Sequence, residues 1–423
     1  MNRVGRLSGA DGVRAIACLM VMGHHAFQRL APWQLSPDIQ QLQLFFLTGA
    51  AGVGVFFVLS GYLLSEPFWR AWSDGDERPS LKTFAIRRWA RIAPAFWLNI
   101  VIVFALSMVL VPDIPDAFMR FAAGITFTSS LSWQTFFPVE INLPLWSIGY
   151  EVFSYALLAA SALVWFRLPI RRNLLLGLGY WVAVLAAVLI LHSLLLAYGQ
   201  TDDVGKGWQF GPYGGAKSWW PTYNPIGFFA IFIVGILAAG ISTGLARWLS
   251  RMRDPVRWPF DLLVLGAMFL GLRMLWDAKA LPDFGLSFPT MPEYFPYFPL
   301  VVGAILALGP HTRSVGRALD NRLFRYIATI SYGLYIWHYA LLELARITLW
   351  PDDFNTYGVL DPGDWLFRIV VIYAIAFVLA TLSWYLFEKR IVAWSKRWGG
   401  RPASRPHDDA GRDVVPGAGI ASA

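Results

Sequence analysis

Apolar runs of roughly 20 residues recur along the chain, separated by short polar or basic segments. About 20 consecutive apolar residues, at 1.5 Å of rise each, are what ~30 Å of hydrocarbon requires. On that criterion the pattern predicts helices over residues 10–30, 44–65, 84–111, 144–167, 173–198, 225–245, 258–278, 296–310, 323–348 and 366–392. Ten spans follow, the eighth being the weakest. No second domain interrupts them. The longest segments outside the spans on the far side are 112–143, whose FMRFAAGITF reads as a re-entrant stretch, and 199–224, rich in Gly, Trp and Tyr. Trp208, Trp219 and Trp220 there fit an aromatic belt at the membrane–water interface, or a platform that stacks on a sugar ring. After Trp398 the Pro- and Gly-rich tail is expected to be disordered, which divides the chain into a transmembrane domain, 1–398, and a cytoplasmic tail, 399–423. The predicted fold class is all-α: a polytopic membrane protein with about ten helices around a central cavity.

Composition agrees with that pattern. At 57% hydrophobic, 16% aromatic and only 15% charged, 423 residues are too apolar for a soluble domain. Most of the 35 basic residues fall in alternate connections, from Arg70 to Arg91, Arg247 to Arg257, Arg313 to Arg325 and beyond Glu388, while Asp202, Asp203, Asp352 and Asp353 fall in the others. The positive-inside bias therefore predicts that both termini are cytoplasmic and that the chain is a multi-pass protein of a bacterial inner membrane. The same bias, with attraction to anionic membrane lipid, accounts for the net charge of +8 without nucleic acid as a partner. Cys18 is the only cysteine, so neither an intramolecular disulfide nor a multi-cysteine metal site is expected. The first span lacks the pattern of a cleavable signal and is expected to be retained.

Ionisable groups inside such spans are costly, about 2.5–3.5 kcal/mol each on insertion scales, so they mark cavities or chemistry. The first span, DGVRAIACLMVMGHHAF, carries Arg14, His24 and His25. Eleven residues separate Arg14 from His25, which at 100° each returns to within roughly 20° of the same helix face with an axial offset of ~16 Å. His25 then lies near mid-membrane, where a neutral imidazole serves as a general base or as a hydrogen-bonding group between helices. His24 points about 100° away. In LPLWSIGYEVFSYAL, Glu151 falls at a depth close to that of His25, so a carboxylate–imidazole contact that orients the base is expected. The alternative is pairing of Glu151 with Arg273, Arg346 or Arg368. Arg88 and Arg91 share a helix face just before Pro94 and, with Arg14, predict a basic cup for a phosphate-bearing ligand, although arginines at a cytoplasmic helix end also follow from the charge bias. A nucleotide-bearing carrier with a flexible arm of ~15–20 Å, the shape of coenzyme A, spans the offset from this cup to His25.

These residues fall in a familiar order. Arg14-x10-His25, GVGVFFVLSGYLLS at 52–65, Arg88-x-x-Arg91 with Pro94, PLWSIGYE ending at Glu151, and SYGLYIWHY at 331–339 together resemble the membrane acyltransferase-3 family, O-acyltransferases of bacterial surface polysaccharides, peptidoglycan and related acceptors. The resemblance implies His25, Glu151 and Arg14 as catalytic residues, and Arg14, Arg88 and Arg91 as the site for acetyl-CoA or another acyl-CoA. It places His24, Trp146, Tyr150, Tyr332 and His338 around substrate or cavity, and Glu388 as a carboxylate ion-paired at the end of the last helix. No metal is implied. The partners implied are membrane lipid and a hydroxyl acceptor such as a glycan or lipid-linked sugar. Some members carry an extracellular esterase-like domain; without one, the acyl group goes directly to its acceptor or to a separate periplasmic transferase. Two departures are Tyr339 after His338, where Trp-Pro is frequent, and EKR at 388–390, where a proline often follows the lysine. A proton-coupled transporter or flippase for a sugar or lipid is the competing reading, since such carriers also hold His and Glu at the midplane.

Overall fold

The computed structural model describes residues 8–32, 35–169, 172–199, 203–253, 255–279, 291–350 and 358–398. The tail 399–423, Asp202, Asp352 and Asp353 lie outside the described residues. The regular structure of the described residues is helical, apart from one isolated parallel bridge between Leu30 and Val359.

In order the α-helices are α1 (Ala10–Phe27), α2 (Pro37–Leu47), α3 (Gly52–Asp74), α4 (Leu81–Leu110), α5 (Ala117–Ile125), α6 (Trp146–Trp165), α7 (Leu174–Tyr198) and α8 (Gly211–Trp219). They continue with α9 (Pro225–Ser250), α10 (Trp258–Ala278), α11 (Tyr297–Leu308), α12 (Val315–Leu319), α13 (Arg322–Thr348), α14 (Pro362–Leu382) and α15 (Lys389–Trp398). A helix occupies each of the ten predicted spans, yet only seven helical stretches among the described residues are long and apolar enough to cross a membrane. α1 and α13 fall short because the polar groups that mark them lower their hydropathy, and α11 because it has 12 residues. The count of ten is therefore not established. The second span is longer than expected, running as one helical stretch from Pro37 to Asp74. The re-entrant candidate is α5, nine residues long, fixed by Arg120, whose Nε donates to the Phe137 carbonyl and whose guanidinium pairs with Glu140.

Three local features set where functional groups sit. α3 and α9 cross in close contact at Gly61 and Gly235, where a methyl on Gly235 would overlap the Val58 carbonyl and one on Gly61 that of Phe232. The first turn of α1 is fastened by Asp320, whose carboxylate accepts from the amides of Gly9 (2.9 Å) and Gly12 (3.1 Å), satisfying helix-start donors that otherwise lack partners. The last long helix does not run straight from α14 into α15. A π-helical turn at Ser383–Glu388 joins them, a widening that re-aims the side chains beyond it.

Candidate active site

A cavity of about 1010 Å³ lies between α1, α3, α4, α6, α13 and α15. At one end it is rimmed by Arg87, Lys396 and Arg397; its inner end is closed by Phe56, Ser147 and Tyr335. Its lining runs along α3 from Val53 to Leu64, ~16 Å of helix rise, and along α13 from Ala328 to Tyr335, ~10 Å. Its wall carries Arg14, Arg88 and Arg91. Arg91 is held as a flat plate: it pairs with Glu388 at 3.4 Å, lies 4.9 Å over the Trp384 ring and 5.7 Å over that of Tyr332. The π-helical turn is what brings both Trp384 and Glu388 to it. Tyr332 is fixed in turn by donating to the Ile92 carbonyl at 2.9 Å. Among the described residues no side-chain hydrogen bond or ion pair holds Arg14 or Arg88, so two guanidiniums face the cavity with donors to spare for an anion.

Glu151 is the carboxylate of this cavity. It accepts hydrogen bonds from Ser60 (2.9 Å) and Tyr155 (2.5 Å), both of which also line the wall. Tyr155 reaches it because residues four apart stack on one helix face. Glu151 and Arg14 line the same space.

The histidines form a second constellation. His25 Nδ1 lies 2.9 Å from His338 Nε2, and His338 Nδ1 lies 2.9 Å from the Leu334 carbonyl, one turn back on α13. The edge of Tyr339 packs against the His25 ring at 4.8 Å, and Arg29, paired with Glu343, sits over the Tyr339 ring. Tyr335 joins the two constellations: it donates or accepts at 2.6 Å with Ser147 on the cavity wall, and its ring lies 6.1 Å from His338. The cavity thus stops one layer of side chains short of the histidine pair.

Comparison with known proteins decides the family. The sequence profile for an acyltransferase domain, acyltransferase-3, matches residues 7–387. The chain belongs to the acyltransferase-3 family. It is 25% identical over 401 residues to a peptidoglycan O-acetyltransferase, OatA, of Listeria monocytogenes, covering 90% of this chain and 55% of that protein. It is 27% identical over 260 residues to the acyltransferase MdmB of Streptomyces mycarofaciens, covering 58% of this chain and 60% of that one. With the exopolysaccharide production protein ExoZ of Rhizobium meliloti it shares 28% over 176 residues, 39% of this chain and 53% of the relative. The chain therefore spans little more than half the length of these relatives. No solved structure matches.

In this acyltransferase-3 protein the expected residues separate into three groups. Arg14, Arg88, Arg91, Glu151 and Tyr332 meet in the cavity. His25 and His338 meet each other instead, and neither lines the cavity wall. Glu151 does not orient His25: equal depth leaves the direction round the helix open, and Ser60 and Tyr155 hold the carboxylate on the α3 side while His25 turns to α13. Nor does Glu151 pair with the alternatives considered for it, because Arg273 is taken by Asp277, Arg346 by Glu343 and Arg368 by Asp364.

Trp146, Tyr150 and His24 do not line this cavity. Trp146 stacks on Phe136 at 5.3 Å, and Tyr150 donates to the Tyr223 carbonyl, so both belong to a buried aromatic nest where α6 meets α9. His24 ties α1 to α2 by donating from Nδ1 to the Leu47 carbonyl at 2.7 Å. Sequence reasoning missed Arg87, Lys396, Arg397, Ser60, Tyr155 and Ser147. Tyr155 was within reach, four residues from Glu151; α15 carries a basic, amphipathic sequence, KRIVAWSKRW, that reads equally as a solvated helix end. Among the described residues no group of three His, Cys, Asp or Glu is placed to hold a metal ion.

Proposed function

We propose that the protein is a membrane O-acyltransferase that moves an acyl group, acetyl by family preference, from acyl-CoA in the cytoplasm to a hydroxyl of an extracytoplasmic glycan or glycolipid. The observation that carries this reading is the cavity. It is deep and basic at its rim, with no side-chain partner for Arg14 or Arg88 among the described residues and Arg91 pre-set by stacking, which suits a phosphate-bearing donor with a long arm. The donor's phosphates sit among Arg87, Arg88, Arg91 and the α15 cations, and the pantetheine arm runs inward past Glu151. The start of α1 and the end of α15, which both reach this cavity, are then on the cytoplasmic side, and the membrane is the bacterial inner membrane.

Chemistry takes place at the His25 end. The imidazole removes the proton from the acceptor hydroxyl, and the oxygen attacks the thioester carbonyl carbon. The C–S bond breaks, and the departing sulfur takes the proton from the imidazolium, leaving an ester and a free thiol. The thioester reaches this point when the side chains of Phe56 and Tyr335 at the cavity's inner end give way.

The test is His25→Ala in cells and in detergent. The variant should fold and insert like wild type and bind CoA with similar affinity, because His25 is outside the cavity wall, while acylation of the surface glycan is lost. Full acylation by His25→Ala would overturn the reading. Purified wild-type protein that neither binds nor slowly hydrolyses acetyl-CoA would point instead to a transporter. Mass spectrometry of surface glycans and lipids with and without the gene identifies acceptor and acyl group together.

A further inference from the structure

The role first expected of Glu151, orienting His25, is left open by the geometry of the cavity, and the residue that fills it is on α13. A backbone carbonyl can only accept a hydrogen bond, so the 2.9 Å contact of His338 Nδ1 with Leu334 requires the proton of His338 to be on Nδ1. His338 is fully buried, and its ring neighbours are His25, Tyr335 and Tyr373, none of them an anion. The nearby carboxylate among the described residues, Glu343, is committed to Arg29 and Arg346. An imidazolium at His338 would be a buried charge without a counter-ion, so the ring is neutral and carries a single N–H. Its Nε2 is then a bare acceptor. The 2.9 Å contact between that atom and His25 Nδ1 needs one proton, which His25 must supply.

We propose that His338 is the positioning residue of the acyl transfer: by accepting from His25 Nδ1–H it fixes His25 in the tautomer whose Nε2 lone pair is free to take the acceptor's proton. This rests on the reading of His25 as the base. The relay runs in one direction, from His25 Nδ1–H to His338 Nε2 and from His338 Nδ1–H to the Leu334 carbonyl. When His25 gains a proton on Nε2, its Nδ1–H···Nε2 bond becomes charge-assisted and strengthens, so the relay stabilises the cation that forms during transfer. This is the part a carboxylate plays in a Ser-His-Asp triad, carried out here by a neutral group whose polarity is set by a helix carbonyl.

Nitrogen NMR of the ¹⁵N-histidine-labelled full chain in detergent tests the tautomer without activity, with the His25 signals identified by their loss in His25→Ala. The expected result is a protonated, pyrrole-type Nδ1 and a bare, pyridine-type Nε2; a protonated Nε2 on His25 in the wild-type protein overturns the proposal. Kinetics add a second arm. His338→Ala should lower kcat by about 10²–10⁴-fold, the range spanned by general-base catalysis and by a wrong tautomer in triad enzymes, with KM for acetyl-CoA unchanged. His338→Gln, whose amide oxygen can accept from His25 Nδ1–H, should recover at least about a tenth of the lost rate. Equal rates for the Ala and Gln variants, or a change confined to KM, would overturn it. If His338→Ala does not fold, the wild-type spectrum and the Gln variant still decide. Failure of the base assignment is separable, since it shows as activity in His25→Ala whatever the spectrum of His25.

Discussion

Charge placement governs the cavity at the scale of single residues. Glu151 is a negative group among guanidiniums, and its two hydrogen bonds from hydroxyls persist in an amide oxygen. Glu151→Gln is therefore expected to keep the fold and to tighten CoA binding by roughly threefold to tenfold, because one charge repelling the phosphates is gone; Arg14→Ala should weaken it by a similar factor. Calorimetry on both variants checks the pair of signs, and weaker binding in Glu151→Gln would show that the carboxylate organises the donor rather than opposing it. Arg91 is a different case, since its stacking between Trp384 and Tyr332 depends on a planar cation that lysine does not provide.

Glu293, outside the spans, gives a pH prediction at the same scale. Burial against the start of α3 pushes its carboxyl up to about 8, only partly offset by the Gly54 amide that donates to it; Tyr223, Tyr294 and Tyr335 are titratable groups within reach of its charge. A carboxyl whose pKa is raised on folding must be protonated to fold. Its stabilising contribution is complete below the unfolded value near 4.5 and is lost as pH rises through about 8. The melting temperature in detergent should fall between about pH 5 and pH 8, by an amount on the order of a few kcal/mol in stability, and Glu293→Gln should flatten that slope. An unchanged slope in the variant would assign the pH dependence elsewhere.

Helix contacts carry the next level. α3 and α9 approach so closely that the backbone carbonyls of each occupy the space of a side chain on the other. Gly235→Val is expected to destabilise the protein by more than about 3 kcal/mol or to prevent folding, since the overlap is with backbone and no rotamer relieves it. Fluorescence-detected gel filtration reads this directly, and a monodisperse, wild-type-like peak would refute it. α4 shows the opposite economy: it runs unbroken through Pro94, so the proline removes a hydrogen bond without ending the helix. The π-helical turn between α14 and α15 is the element that apolar periodicity did not reveal. A run of apolar residues has the same composition whether its turns are α or π, and the widening is decided by what Trp384 and Glu388 gain at Arg91.

Over the whole molecule, six helices from both ends of the chain build one cavity, and the contact between two of them, α1 and α13, builds the histidine pair beside it. How much of this was legible from residues follows from what each signal encodes. Apolar length is set by hydrocarbon thickness, so the spans, the all-α class and the family's ordered motifs were readable; so was the grouping of Arg14, Arg88 and Arg91, because cations within an apolar chain need a common polar space. Rise per residue fixed the depths of His25 and Glu151 along their helices. It did not fix their azimuths relative to neighbouring helices, and these decided the partners: Glu151 turned to Ser60 and Tyr155, His25 to His338, and Trp146 and Tyr150 into the aromatic nest. Helix geometry is local and the sequence determines it; the rotation and crossing of packed helices depend on contacts hundreds of residues apart, such as Gly61 with Gly235 and Gly9 with Asp320, and only the tertiary structure resolves them.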